Sequence, residues 1–221
     1  MSRLPTFFIS HGGGPWPYMP EMRIPYANTA LAISSIPASL PAIPKAILVI
    51  TGHWEAPEFT VSTALQPSME YDYSGFPEHT YHIRYPAQGS PVLAARVREL
   101  LGESGIATSE DAHRGFDHGT FVPLGLMYPD ADIPVVLLSL KSGYDPSAHI
   151  QAGQALQSGQ IRDSSRPALI ARLQLAGAQV VNKGAYKLAF MAHLNAGGRK
   201  VSLVDIARVN AIGAQNIGEQ G

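Results

Sequence analysis

The chain has 221 residues, with 16 Lys and Arg against 17 Asp and Glu, a formal net charge of −1 and a pI near 6.7. That length can bury a sizeable core in one domain, and the balanced charge provides no field for nucleic-acid backbones or anionic lipid. There is no cysteine, which excludes disulfides, thiolate metal sites and a cysteine nucleophile, so any metal would be held by His, Asp or Glu.

The opening MSRLPTFFIS carries one Arg and an apolar run interrupted by Pro5. It lacks the length of a signal-peptide core or a membrane span, and a soluble, cytoplasmic protein without membrane partners is expected. The apolar run at residues 6–10 reads as a buried strand, as does 46–51 in KAILVITGHW. Each leads to a histidine, His11 and His53. SPVLAARVRELLGESG, residues 90–105, reads as a helix: Ser90 caps it, Pro91 takes the first helical position, Leu93, Val97, Leu100 and Leu101 form a stripe, and a glycine closes it. After the turn signal YPDAD, IPVVLLSL at 133–140 reads as a third strand.

Strands alternating with a helix predict an α/β domain, with a central, largely parallel or mixed sheet flanked by helices and ligands collecting outside the carboxyl ends of its strands. Eighteen prolines and 21 glycines supply the breaks between short elements. The composition then changes near residue 156. Residues 1–156 hold 14 acidic and 8 basic side chains, and residues 157–221 hold 3 and 8, a switch from −6 to +5. Residues 1–156 are therefore expected to form the core, and 157–221 an atypical, frameshifted or replaced tail.

The stretch FFISHGGGPWPY raises two chemistries. HGGG is an oxyanion-hole motif of some esterases, but that use needs a nucleophile elbow, G-x-S-x-G, and no serine here has glycine at both −2 and +2. GESG at 102–105 comes nearest and is followed by Ile106. The other reading is a metal site. His11 and His53 each follow a predicted strand and have small neighbours, Gly12 to Gly14 and Gly52, that leave room for a ligand. Imidazoles of this kind suit Fe(II) or Zn(II). His118, in RGFDHGTFVPL, is a third candidate, while the neighbouring Asp117 is expected to cap or turn the backbone. His79, His82, His113 and His149 read as structural hydrogen-bonding residues.

Several blocks together, SHGGGPWPYMP, AILVITGHWE, YDYSGFPEHTYHIRYPAQGSPVLAARVRELL and GFDHGTFVPLGLMYPDADIPVVLLSL, ending near HIQAGQAL, resemble the DODA-type, class III extradiol ring-cleavage dioxygenases, the LigB-like group of non-haem metal enzymes. The resemblance covers about the first 156 residues. It implies Fe(II), or Zn(II), held by His11 and His53, a catecholic substrate chelated through both hydroxyls, and O2 as co-substrate. His118 then resembles the pocket histidine that hydrogen-bonds substrate or oxygen, with Tyr18, Trp16 and Phe121 able to flank the ring. Dimerisation is an expectation from the family. Beyond AGQAL the chain departs from the pattern: QSGQIRDSSRPALIARLQLAGAQVV stands where the family has a strand leading to an acid/base histidine, and the third metal ligand farther on is not matched. His193, Asp163 and Asp205 are the candidates for replacement, and impaired turnover is expected. The alternative is a non-catalytic metal-binding or interaction protein on the same scaffold.

Overall fold

The computed structural model describes residues 4–158. Within them the elements run α1 (Ala27–Ser34), β1 (Ile47–Ala56), β2 (Phe59–Ser62), α2 (Pro91–Glu103), β3 (Thr108–Asp111), α3 (His118–Met127), β4 (Val135–Lys141) and α4 (Pro146–Ser158), with short 3-10 turns between them. The sheet order is β1-β4-β2-β3. β1 and β4 are parallel, as are β2 and β3, while β2 meets β4 antiparallel, so the sheet is mixed as expected. Serine hydroxyls reinforce that antiparallel seam: Leu137 N–H donates to Ser62 Oγ at 2.8 Å and Thr60 N–H to Ser139 Oγ at 2.8 Å.

The apolar run of β4 packs on both faces because successive side chains point in opposite directions. Val135 and Leu137 join Trp16, Trp54, Phe116, Phe121 and Leu124 in one core. Val136 and Leu138 join Phe59, Val61, Val97, Leu101, Ala152 and Ala155 in the other. Helices therefore cover both faces, α1 and α3 on one and α2 and α4 on the other. Each fully buried Leu or Val contributes roughly 1.5–3 kcal/mol against entropy losses of similar total size. α2 forms as its sequence predicts: Ser90 Oγ accepts the Leu93 N–H at 3.2 Å, and Ala94, Val97, Leu100 and Leu101 face the core. No helix among the described residues is long and apolar enough to cross a membrane.

Two expectations need correction. Residues 6–10 form no strand, and none of them is buried; Phe8 is exposed. Apolar composition alone does not place a run in a ladder, which needs backbone groups in register; the described sheet is built from β1 to β4. The second concerns β1, which does not end at Thr51. It continues to Ala56 through an irregularity, with Ile50 opposite Leu138 and Glu55 opposite Leu140. Only Ser139 spans the gap that residues 51–54 must cross, so TGHW bulges out of the ladder, and the site is built there. The atypical tail and its candidates His193, Asp163 and Asp205 lie outside the described residues.

Candidate metal centre

Three histidines from three separate elements meet at that bulge. His53 stands on the bulge itself, His11 on the loop before the first 3-10 turn, and His118 at the first position of α3. His11 and His53 face each other Nε2 to Nε2 at 3.1 Å. The His118 ring centroid lies 4.9 Å from that of His11 and 4.2 Å from that of His53. One nitrogen from each ring falls within 4.8 Å of the other two, which makes the three a group able to hold a metal ion.

Local structure explains how each ring is aimed. Thr51 Oγ1, buried beneath the bulge, accepts the His53 backbone N–H at 3.1 Å and donates to Asp117 Oδ1 at 3.0 Å. Asp117 is the N-cap of α3, as its position beside His118 predicts, accepting the Thr120 N–H at 3.0 Å. Its second oxygen pairs with Arg114, which also pairs with Glu70 and lies 5.1 Å over the Trp54 ring. Gly119 lets His53 come close: a Cβ there would lie 2.7 Å from His53 Cδ2.

The glycines after His11 serve the turn. Gly12 and Gly14 have φ of 76° and 57°, in the left-handed region. A Cβ on Gly14 would meet the Phe76 ring at 2.4 Å, and one on Gly12 would meet Trp16 Nε1 at 2.6 Å. Trp16 is a packing residue: buried, stacked on Tyr26 at 4.6 Å, it donates its indole N–H to the His11 carbonyl at 2.6 Å. Gly14→Ala is expected to cost about 1–3 kcal/mol from backbone strain alone. Urea unfolding checks it, and an unchanged midpoint would refute the packing role assigned to this turn.

The residue that sequence reasoning missed is Asp72. Its carboxylate bridges two of the rings, with Oδ2 3.0 Å from His53 Nδ1 and Oδ1 2.7 Å from His118 Nδ1. Oδ1 also accepts the His118 backbone N–H at 3.0 Å. Burial pushes this carboxyl up, but the hydrogen bonds from His118 and His53 outweigh it and hold it well below the usual range. His11 is lowered to about 3, chiefly by burial and then by the neighbouring charges of His118 and His53. Its imidazole is thus neutral, the form that binds metal.

This has a pH consequence for the metal-free chain. The folded-state value of His11 lies below its ordinary 6.5, so between these limits the unfolded chain binds a proton that the folded chain refuses. Stability should fall as pH drops through that window, with a slope approaching about 1.4 kcal/mol per pH unit from this group. Asp72, held low, adds loss in the same direction at still lower pH. Urea midpoints across the window measure the slope, and His11→Asn should flatten it; an equal slope in the variant would refute the assignment.

The other sequence candidates divide. Phe121 is fully buried and Tyr18 half-buried, and their rings lie 6.2 Å apart. Tyr73, not singled out by the sequence, links this pair to the histidines, 6.4 Å from Phe121 and 5.7 Å from His118. His79, His82 and His149 make structural hydrogen bonds as expected: to the Tyr18 carbonyl, to Glu78, and to the Asp145 carbonyl with the Lys141 N–H. The His113 backbone N–H bonds Asp111.

Converging imidazole nitrogens backed by a carboxylate are the donor chemistry of a metal site. Two nitrogens 3.1 Å apart can share one ion at the usual ~2.0–2.2 Å from each. The chain belongs to the LigB family: residues 6–164 match the family described as the catalytic LigB subunit of aromatic ring-opening dioxygenase. Among curated relatives it is 38% identical over 168 residues to a protein named dioxygenase tasH from Hapsidospora irregularis, covering 72% of this chain and 50% of that one. It is 44% identical over 154 residues to a 4,5-DOPA dioxygenase extradiol from Beta vulgaris, covering 68% and 55%. A solved structure of an uncharacterized protein from Escherichia coli K12 matches at 34% identity with a TM-score of 0.48, over 59% of this chain and 48% of that one. The chain spans about half the length of the curated relatives it matches.

Proposed function

We propose that this chain is a non-haem, metal-dependent extradiol dioxygenase that opens the aromatic ring of a catecholic substrate with O2. The observation that carries the proposal is the convergence of His11, His53 and His118 at the β1 bulge, in a chain of the LigB family. His11 and His53 would hold the ion through Nε2. When bound, Fe(II), or Zn(II), would supply a Lewis acid that lowers the pKa of the catechol hydroxyls and an assembly point for diol and O2.

The remaining work falls to the protein. With Nδ1 engaged by Asp72, His118 can turn Nε2 to the site, either to complete the donor group or to exchange a hydrogen bond with a substrate hydroxyl or oxygen. The catalytic assignment is the second. Tyr18 and Phe121 would flank the ring, and Tyr73 extends that aromatic wall toward His118. The core at residues 1–156 carries this chemistry, and the tail at 157–221 is assigned none.

The test is oxygen uptake by the full chain loaded with Fe(II), over a small panel of catechols, together with the appearance of coloured ring-opened product. Stoichiometric uptake supports the reading. Tight binding of one ion per chain with no oxygen consumption would overturn it in favour of a non-catalytic metal-binding protein on the same scaffold. Slow turnover would fit the unmatched acid/base and third-ligand motifs, since a missing general acid or base typically costs ~10²- to 10⁴-fold.

A further inference from the structure

Asp72 reaches the cluster from outside every element that carries a histidine, and the chain restrains it firmly. Its loop is tied to the segment before α3 by a parallel bridge between Met69 and Phe116, with the Glu70 N–H bonded to the Phe116 carbonyl at 2.9 Å and the Phe116 N–H to the Ser68 carbonyl at 2.8 Å. The tyrosines on either side act as pegs. Tyr71 donates its hydroxyl to the Ile83 carbonyl at 2.8 Å, and Tyr73 donates to the Thr80 carbonyl at 2.6 Å. Asp72 is thus held between two anchored neighbours, with one oxygen for each of two imidazoles.

We propose that Asp72 is the positioning residue of this centre: its carboxylate fixes His53 and His118 together in the Nδ1–H tautomer, so that both rings present an unprotonated Nε2 to the site. A carboxylate at this position is acceptor-only, so each nitrogen facing it must carry the hydrogen. A neutral imidazole with hydrogen on Nδ1 has its lone pair on Nε2, where a metal or a hydroxyl proton can be met. One side chain therefore sets two rings at once, and the third ring, His11, lies outside its hydrogen bonds. Asparagine at this position would offer one oxygen and one NH2, and could keep only one of the two rings in that form.

The inference rests on the metal-centre reading for its affinity readout only; its tautomer readout is independent of metal. The experiment uses the full-length chain, metal-free and 15N-labelled, at mildly alkaline pH, with long-range proton–nitrogen correlation of the histidine rings. Wild type should show His53 and His118 as Nδ1–H tautomers. Asp72→Asn should release one ring and Asp72→Ala both, with Zn(II) affinity by calorimetry weakened ~10- to 100-fold, the usual cost of losing a partner behind a ligand. A purely structural aspartate would lower the unfolding midpoint and leave the tautomers alone. Nε2–H or mixed tautomers in wild type would overturn the proposal without any variant, which covers the case in which Asp72→Ala does not fold. Unchanged tautomers in a folded variant would overturn it as well. Tautomers that shift as stated in a chain that takes up no Zn(II) would support the positioning role and defeat the metal-centre reading, so the two fail separately.

Discussion

Replacing His53 with alanine is expected to weaken binding of Zn(II) or Fe(II) by the full chain more than about 100-fold, beyond what loss of a supporting hydrogen bond costs, and to remove oxygen uptake. The expectation follows from the 3.1 Å approach of its Nε2 to that of His11. Of the two donors proposed for the ion, one would be gone, and the Asp72 oxygen that faced it would lose its partner. His79→Ala is the matched control, since that ring is exposed and bonds the Tyr18 carbonyl rather than the histidine cluster. Calorimetric titration of the metal-free chain decides the matter: equal affinity in His53→Ala and wild type would make the imidazole cluster a hydrogen-bonded core feature and nothing more.

The second large effect is on stability. Asp117 is fully buried and serves four partners: the Thr51 hydroxyl, the Thr120 N–H and hydroxyl, and Arg114. Asp117→Ala would strip the α3 cap, which is worth about 1 kcal/mol, and leave the mostly buried Arg114 with Glu70 alone. Breaking a buried pair from one side costs about 3–5 kcal/mol, a large share of a typical 5–15 kcal/mol total. Asp117→Asn keeps an oxygen for Thr51 and Thr120 and should lose less. The difference should appear in urea midpoints, and in metal affinity too, because Thr51 holds the His53 backbone. A change within 1 kcal/mol for Asp117→Ala, on the scale of ordinary surface substitutions, would show that the network is not the support described above.

Much of the scaffold was legible because its signals are local. Ser90, Pro91 and the leucine stripe define α2 without help from the rest of the chain, and residues 135–138 of β4 are apolar on both faces because helices cover both. His11, His53 and His118 stood out because small neighbours flank them, and their chain positions resemble the family's motifs. What escaped notice was whatever depends on partners. Residues 6–10 have the composition of a strand, yet composition alone does not set backbone pairing. The β1 bulge is a matter of register against β4, and nothing in TGHWEA announces it. Asp72 sits in a tyrosine-rich loop where one acidic residue reads as turn chemistry, and its role arises only when residues 46 positions apart in sequence meet at His118.

That long-range assembly has a thermodynamic corollary. The three imidazoles come from positions 11, 53 and 118, on a loop, a bulge and a helix start that have no reason to be near one another in an unfolded chain. An ion held by His11 and His53 together would see only the folded state, and by mass action it would add about 2.7 kcal/mol of stability when its free concentration is 100 times its dissociation constant. The centre would therefore act as a clasp that closes the chain loop of roughly 40 residues between these two, whose entropic cost rises only slowly with length. The supply of metal would then bear on how much of the chain is folded as well as on any chemistry at the centre.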